Sequence, residues 1–200
     1  MKTIIITGAS GSGKTFLTNK LEQDINNTIT INTDSYYRDD LFIKCLSLFM
    51  KDIYDRVISI NNKELHKTID SIYRNDKTIT IYKYDFKRRK SSQSTRKRER
   101  QNKFLIIEGI FSHRLNLDYK RTINIFCKET KEICFERRLN RDELERGRKK
   151  KEVSRKYFKS WYLYYKNLPR YIEKNDINIV SSTDQKSYEK LINKLKEFIS

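Results

Sequence analysis

Proline occurs once, at Pro169, and glycine only five times. So little of either excludes collagen-like chains, glycine linkers and proline-rich segments. The three cysteines, Cys45, Cys127 and Cys134, form no CxxC pair and no even framework. That excludes a disulfide scaffold; buried, reduced thiols in a cytoplasmic compartment are expected instead. Histidine occurs twice, at His66 and His113, so no structural zinc site is expected. No apolar run approaches the ~18 residues of a membrane span, and no membrane partner is expected. Met1–Thr7 is too short for a signal-peptide core. Apolar residues make up only 36%, but 12% aromatic residues argue against general disorder. The 200 residues fit a single domain spanning 1–200, large enough to bury a real core.

Positive charge is abundant. Lys and Arg number 44 against 26 Asp and Glu, a formal net charge of +18. Two stretches carry 13 of it. Residues 87–103 hold nine Lys/Arg against Glu99, and residues 137–151 hold eight against Asp142, Glu143 and Glu145. Such clustering implies an anionic partner, phosphorylated substrate or nucleic acid, or else a solvated basic face.

Short runs rich in Ile, Thr and Phe predict strands at 3–7, 28–31, 78–82, 104–107, 122–127 and 177–180. Helical spacing predicts helices at 14–24, 40–60, 63–74, 130–146, 150–167 and 184–199. The alternation predicts an α/β fold, a parallel sheet with helices on both faces.

Three of the five glycines fall within six residues. Gly8-Ala9-Ser10-Gly11-Ser12-Gly13-Lys14-Thr15 satisfies G-x-x-x-x-G-K-S/T between a strand and a helix. Glycines let successive N–H groups turn inward around phosphate oxygens, and the helix N-terminus adds its dipole. Lys14 is expected on the β- and γ-phosphates, and the Thr15 hydroxyl on Mg²⁺. This is the signature of a P-loop nucleotide-binding protein. Asp34, after the second strand, is placed to act as base for an acceptor hydroxyl, or to cap the next helix. Glu108 ends the apolar strand Phe104–Ile107, the layout of a second magnesium position. Arg138 and Arg141 share a helix face, and Arg146 and Arg148 flank Gly147. Such a basic lid can close over the nucleotide and neutralise a transferring phosphoryl group.

These pieces together resemble the uridine kinase family. GASGSGKT at 8–15, DSYY at 34–37, YDF at 84–86, EGI at 108–110 and RRLNRDELERGR at 137–148 occur in family order. The resemblance implies transfer of the ATP γ-phosphate to a nucleoside 5′-hydroxyl. Asp34 would be the base, Thr15 and Glu108 the magnesium positions, and Arg141 and Arg146 the lid arginines on the phosphates. Arg138, Arg148, Asp55, Tyr37 and Tyr84 would line the nucleoside, Asp55 at the ribose. Asp184 matches an Asp beside adenine. It further implies a small β-rich acceptor arm around 76–103, a lid around 137–151, and a homo-oligomer, since the family is often tetrameric. Two family base-reading positions, a His and a Gln, are Arg89 and Lys156 here. A cation only donates, so a more anionic or larger acceptor would suit them. The alternative is a nucleic-acid-binding P-loop protein or a polynucleotide 5′-hydroxyl kinase using the basic run 87–103. That run contains no aromatic residue, so no stacking platform for single strands lies within it. The aromatics from Tyr157 to Tyr165 are expected to pack a helix on the sheet.

Overall fold

The computed structural model describes residues 1–50, 53–98, 102–115, 117 and 121–199. In chain order the elements are β1 (Lys2–Thr7), α1 (Lys14–Asp24), β2 (Thr28–Asn32), α2 (Leu41–Phe49), α3 (Asn62–Tyr73), β3 (Thr78–Asp85), β4 (Lys90–Lys97), β5 (Phe104–Glu108), β6 (Thr122–Cys127), α4 (Lys131–Arg146), α5 (Lys150–Lys174), β7 (Ile177–Val180) and α6 (Gln185–Ile199). Five strands form a parallel sheet in the order β2-β5-β1-β6-β7. β3 and β4 pair antiparallel as a separate hairpin.

The central strands are apolar on both faces because both are covered. Ile4, Ile6, Ile106 and Ile125 pack beneath Leu17 and Leu21 of α1 and Leu191 and Leu195 of α6. On the other face Ile5, Leu105 and Ile107 meet Leu65, Ile69 and Ile72 of α3, with Ile79 of β3. Tyr164 and Leu168 of α5 cover Phe126 and Ala9. Successive residues of a strand point to opposite faces, which explains this division. Parallel pairing aligns the C-terminal ends of β1, β2 and β5, so the loops after them meet at one edge.

Several expectations are corrected. The helix expected over 40–60 is only α2, followed by 3₁₀ turns at Ile53–Asp55 and Val57–Ser59. Leu41, Cys45 and Leu48 are exposed, and Ile43 is the one buried residue of α2, so no buried stripe extends the helix. Cys45 therefore departs from the expected buried thiols. Burial pushes Cys127 up to about 11 and Cys134 up to about 12. The helix expected to stop at 167 continues to Lys174 through Pro169. Proline forfeits one helical N–H, but Leu168 and Tyr171 on either side pack against the sheet and hold the helix. Of the α5 aromatics, Tyr157 and Tyr164 are buried, whereas Phe158 and Tyr162 are exposed. The strand β4, KSSQSTRK, has no apolar alternation and was not expected as a strand; its pairing with β3 defines it. Residues 99–101 of the basic run lie outside the described residues. Among the described residues no helix is long and apolar enough to cross a membrane.

His113 follows β5 and is buried, its Nδ1 2.9 Å from Thr7 Oγ1 and its Nε2 without a partner. Burial, aided by Arg114, pushes it down to about 3 from an ordinary 6.5. Below pH 6.5 the unfolded chain therefore takes up a proton that the folded chain refuses. Stability should fall by about 2 kcal/mol between pH 7 and 5 from this group. In urea titrations His113→Asn should remove that part of the decline; an unchanged acid slope would refute the assignment.

Candidate active site

The loop from Gly8 to Lys14 joins β1 to α1. Gly11 and Gly13 adopt left-handed φ values of 88° and 87°. A Cβ at Gly11 would run into the Cys134 carbonyl, and one at Gly13 would lie 2.6 Å from Ser182. Only glycine fits a loop pressed this closely against its neighbours. α1 begins with no side-chain cap and no acidic residue in its first turn, so its N-terminal amides are left for an anion. Lys14 is buried, and its Nζ donates to the Ala9 carbonyl at 3.0 Å.

Glu108, at the end of β5, is buried. Its carboxylate accepts from Thr15 Oγ1 at 3.2 and 3.3 Å and from Asn32 Nδ2 at 2.9 Å. Burial raises its pKa, against the pull of Lys14. A dehydrated carboxylate fixed beside a hydroxyl suits a hard cation such as Mg²⁺, which keeps water and phosphate oxygens as its other ligands. Among the described residues no group of three or more His, Cys, Asp or Glu could hold a metal by itself. Asn32 also accepts the Asp34 backbone N–H at 2.8 Å. One amide thus sets both acidic positions. Asp34 Oδ1 is buried without a hydrogen-bond partner.

Aromatic rings wall the adjoining space. Tyr37 lies 5.3 Å from Tyr84, 5.7 Å from Phe86 and 6.2 Å from Tyr54. The Tyr37 hydroxyl donates to the Tyr54 carbonyl at 3.1 Å, whereas the Tyr84 hydroxyl has no partner. Burial raises the pKa of both phenols, which stay protonated.

The arginines of residues 138–148, where a lid is expected, are organised around Asp142, which is fully buried. Arg148 at 2.8 Å, Arg141 at 2.9 Å, Arg146 at 3.4 Å and Arg138 at 3.8 Å converge on its carboxylate. Gly147 ends α4 in the left-handed region and turns Arg148 back, its N–H reaching the Asp142 carbonyl at 3.1 Å. Burial would raise the Asp142 carboxyl, but Arg141, Arg146 and Arg138 hold it below the usual range. Burial and the charge of Arg141 push Arg146 down to about 10. The cluster reaches two other parts of the cavity: Arg141 donates to Ser10 Oγ at 3.3 Å, and Arg146 lies 4.0 Å over the Phe86 ring.

One cavity of about 490 Å³ unites these parts. Ser10, Gly11, Gly13, Lys14, Thr15, Asp34, Tyr37, Asp55, Tyr84, Arg89, Glu108, Arg138, Arg141, Arg146, Arg148 and Lys156 line it. Gly8, Ala9 and Ser12 belong to the loop but not to its lining. Asp184 is not brought to the cavity: it is exposed, and its Oδ1 accepts the Lys186 N–H at 3.0 Å at the start of α6. Sequence reasoning gave no individual role to Asn32, Tyr54, Phe86, Arg137, Arg155 or the hub Asp142, although Phe86, Arg137 and Asp142 lie within the quoted motifs. Asp142 stands four residues from both Arg138 and Arg146, a spacing that puts all three on one helix face. Asn32 offered no comparable signal.

Fold and site define an α/β P-loop phosphotransferase. A model of the phosphoribulokinase/uridine kinase family matches residues 3–187, and the chain belongs to that family. It is an enzyme that transfers a phosphoryl group to an alcohol acceptor. The uridine kinase of Macrococcus caseolyticus is 31% identical over 159 residues, covering 78% of this chain and 76% of that one. That of Staphylococcus epidermidis is 30% identical over 162 residues, covering 78% and 75%. Among solved structures, a possible uridine kinase from Bacillus stearothermophilus superposes with a TM-score of 0.57 at 15% identity, covering 90% and 88%. A D-glycerate 3-kinase from Cryptococcus neoformans gives 0.56 at 14% identity, covering 82% and 77%. Likeness at these identities concerns the fold alone.

Asp142→Asn keeps the size of the hub and removes its charge. It should cost about 3 kcal/mol at pH 7, because clustered guanidiniums lose their counter-charge. The Asp142 pKa is depressed in the fold, so its stabilisation is present above pH ~4 and lost as pH falls through the folded value. Urea unfolding of both proteins should show the gap narrowing below pH ~4. A gap undiminished at acid pH would mean that charge is not its source.

Proposed function

We propose that the chain is an ATP-dependent nucleoside kinase resembling uridine kinase, passing the ATP γ-phosphate to a 5′-hydroxyl, with uridine or cytidine the favoured acceptor. The observation that carries this reading is the buried, unpartnered Asp34 Oδ1, in one cavity with the phosphate loop and the aromatic wall. The relatives named uridine kinase support it further.

In this reading the phosphate loop and α1 hold the triphosphate, and Lys14 bridges its terminal phosphates. Thr15 and Glu108 would hold Mg²⁺, which when bound neutralises phosphate charge. Asp55 takes the ribose hydroxyls, while Tyr37 and Tyr84 flank the base. Asp34 accepts the 5′-hydroxyl proton as that oxygen bonds to the γ-phosphorus. The bond to the bridging oxygen breaks, and its electron pair leaves with ADP. Arg141 and Arg146 neutralise the charge that spreads over the phosphoryl oxygens, and Arg138 and Arg148 orient the nucleoside. The enzyme works as one unit, arm and lid included.

Asp34→Asn should lower kcat by ~10²–10⁴-fold with ATP affinity nearly unchanged, because it removes the base and leaves the cradle. Lys14→Ala should weaken ATP binding as well. Product formation with uridine and cytidine, together with calorimetric ATP binding, reads both effects. Full turnover by the Asp34 variant would overturn its role.

A further inference from the structure

Arg89 sits at the tip of the β3–β4 hairpin in the left-handed region, at φ 53°. A side chain is disfavoured there, and glycine or asparagine would hold the position with less strain. The turn imposes it: Asp85 Oδ1 accepts the backbone N–H groups of Lys87 at 2.8 Å and Arg88 at 2.9 Å. The guanidinium so presented lies 5.8 Å over the Tyr54 ring and lines the cavity. Arg88 pairs with Asp85 at 3.8 Å, but Arg89 has no carboxylate partner among the described residues.

Charge in the cavity is unbalanced. Nine Lys and Arg side chains line it against three carboxylates. Asp142 and Glu152 pair with five of these cations and still leave an excess of four. ATP with one Mg²⁺ brings about −2, so about two positive charges remain for the acceptor to meet. An uncharged acceptor would leave them uncompensated once a closed lid excludes water. An oxyanion would balance them through charge-assisted hydrogen bonds.

We propose that the acceptor is an anionic nucleoside, carrying a carboxylate or phosphate group that Arg89 engages, with Arg155 and Lys156 in the same cavity. This rests on the nucleoside-kinase reading, keeps its phosphate cradle, base and 5′-hydroxyl transfer, and replaces neutral uridine and cytidine as the favoured acceptors. The hairpin charges favour a small anion over a polynucleotide. On β4 and its turn they fall at two ends, 87–90 and 96–98, while Ser91 to Thr95 carry none and only Lys83 of β3 lies opposite them. No continuous track for successive phosphates runs along β4.

The test compares kcat/KM for uridine, uridine 3′-monophosphate, 6-carboxyuridine and a 5′-hydroxyl oligonucleotide, with wild type and Arg89→Gly. Glycine removes the guanidinium and accepts the left-handed turn, so the variant should melt no lower than wild type. At least one anionic nucleoside should exceed uridine by ~10-fold or more, and the variant should collapse that ratio through KM. Whichever of the two is preferred identifies the anionic group as phosphate or carboxylate. Uridine phosphorylated as well as both, with a ratio unmoved by the variant, overturns the anionic acceptor and leaves the nucleoside kinase standing. A strong preference for the oligonucleotide overturns it in favour of a polynucleotide substrate. Transfer to none of them, with ATP still bound, overturns both readings.

Discussion

The site depends on one buried carboxylate. Glu108 ends β5, and its hydrogen bonds reach Thr15 at the start of α1 and Asn32 at the end of β2. Three chain segments distant in sequence are thereby locked around the same few cubic ångströms. The sheet makes this possible, because β1 and β2 both flank β5 in parallel register, with Ile6 and Asn32 each opposite Glu108. A charge so enclosed is costly without a compensating cation. In the proposed reading the carboxylate that fixes the geometry is also the one that would hold Mg²⁺.

The lid repeats this logic with the sign reversed. Asp142 is one negative group among four guanidiniums, too few to neutralise them. It holds the arginines in place and leaves them an excess positive charge, which in the proposed reading meets phosphate. Preorganised cations of this kind stabilise developing charge without reorganisation at the moment of transfer. The contact of Arg146 with Phe86 joins this cluster to the β3–β4 hairpin. The arginine cluster thus touches both the phosphate loop, at Ser10, and the β3–β4 hairpin, at Phe86.

Local chemistry explains which features could be read in advance. Gly11, Gly13 and Lys14 announce themselves because a phosphate cradle needs backbone freedom and a cation at fixed spacing. Six strands and most helices were legible from Ile-rich runs and helical periodicity. α2 was overextended because its apolar residues face outward, and periodicity cannot tell a buried stripe from an exposed one. β4 was missed because partner hydrogen bonds, and not its own polar side chains, make it a strand. Asp184 lies outside the cavity, because a motif match gives sequence position without direction; its carboxylate accepts the Lys186 N–H at the start of α6.

By itself the sequence determined the α/β class, the phosphate loop, the acidic strand ends and the arginine-rich stretch at 137–148. Each of these is a property of neighbouring residues, set by backbone freedom, period or charge spacing. Tertiary structure alone decided that Asn32 would orient Glu108 and Asp34 together, and that Asp142 would gather the lid arginines. It also decided that Arg89 would be left without a carboxylate and held over Tyr54. Those outcomes depend on which segments the sheet order and the hairpin turn bring within hydrogen-bond reach, and no short stretch of sequence encodes that distance.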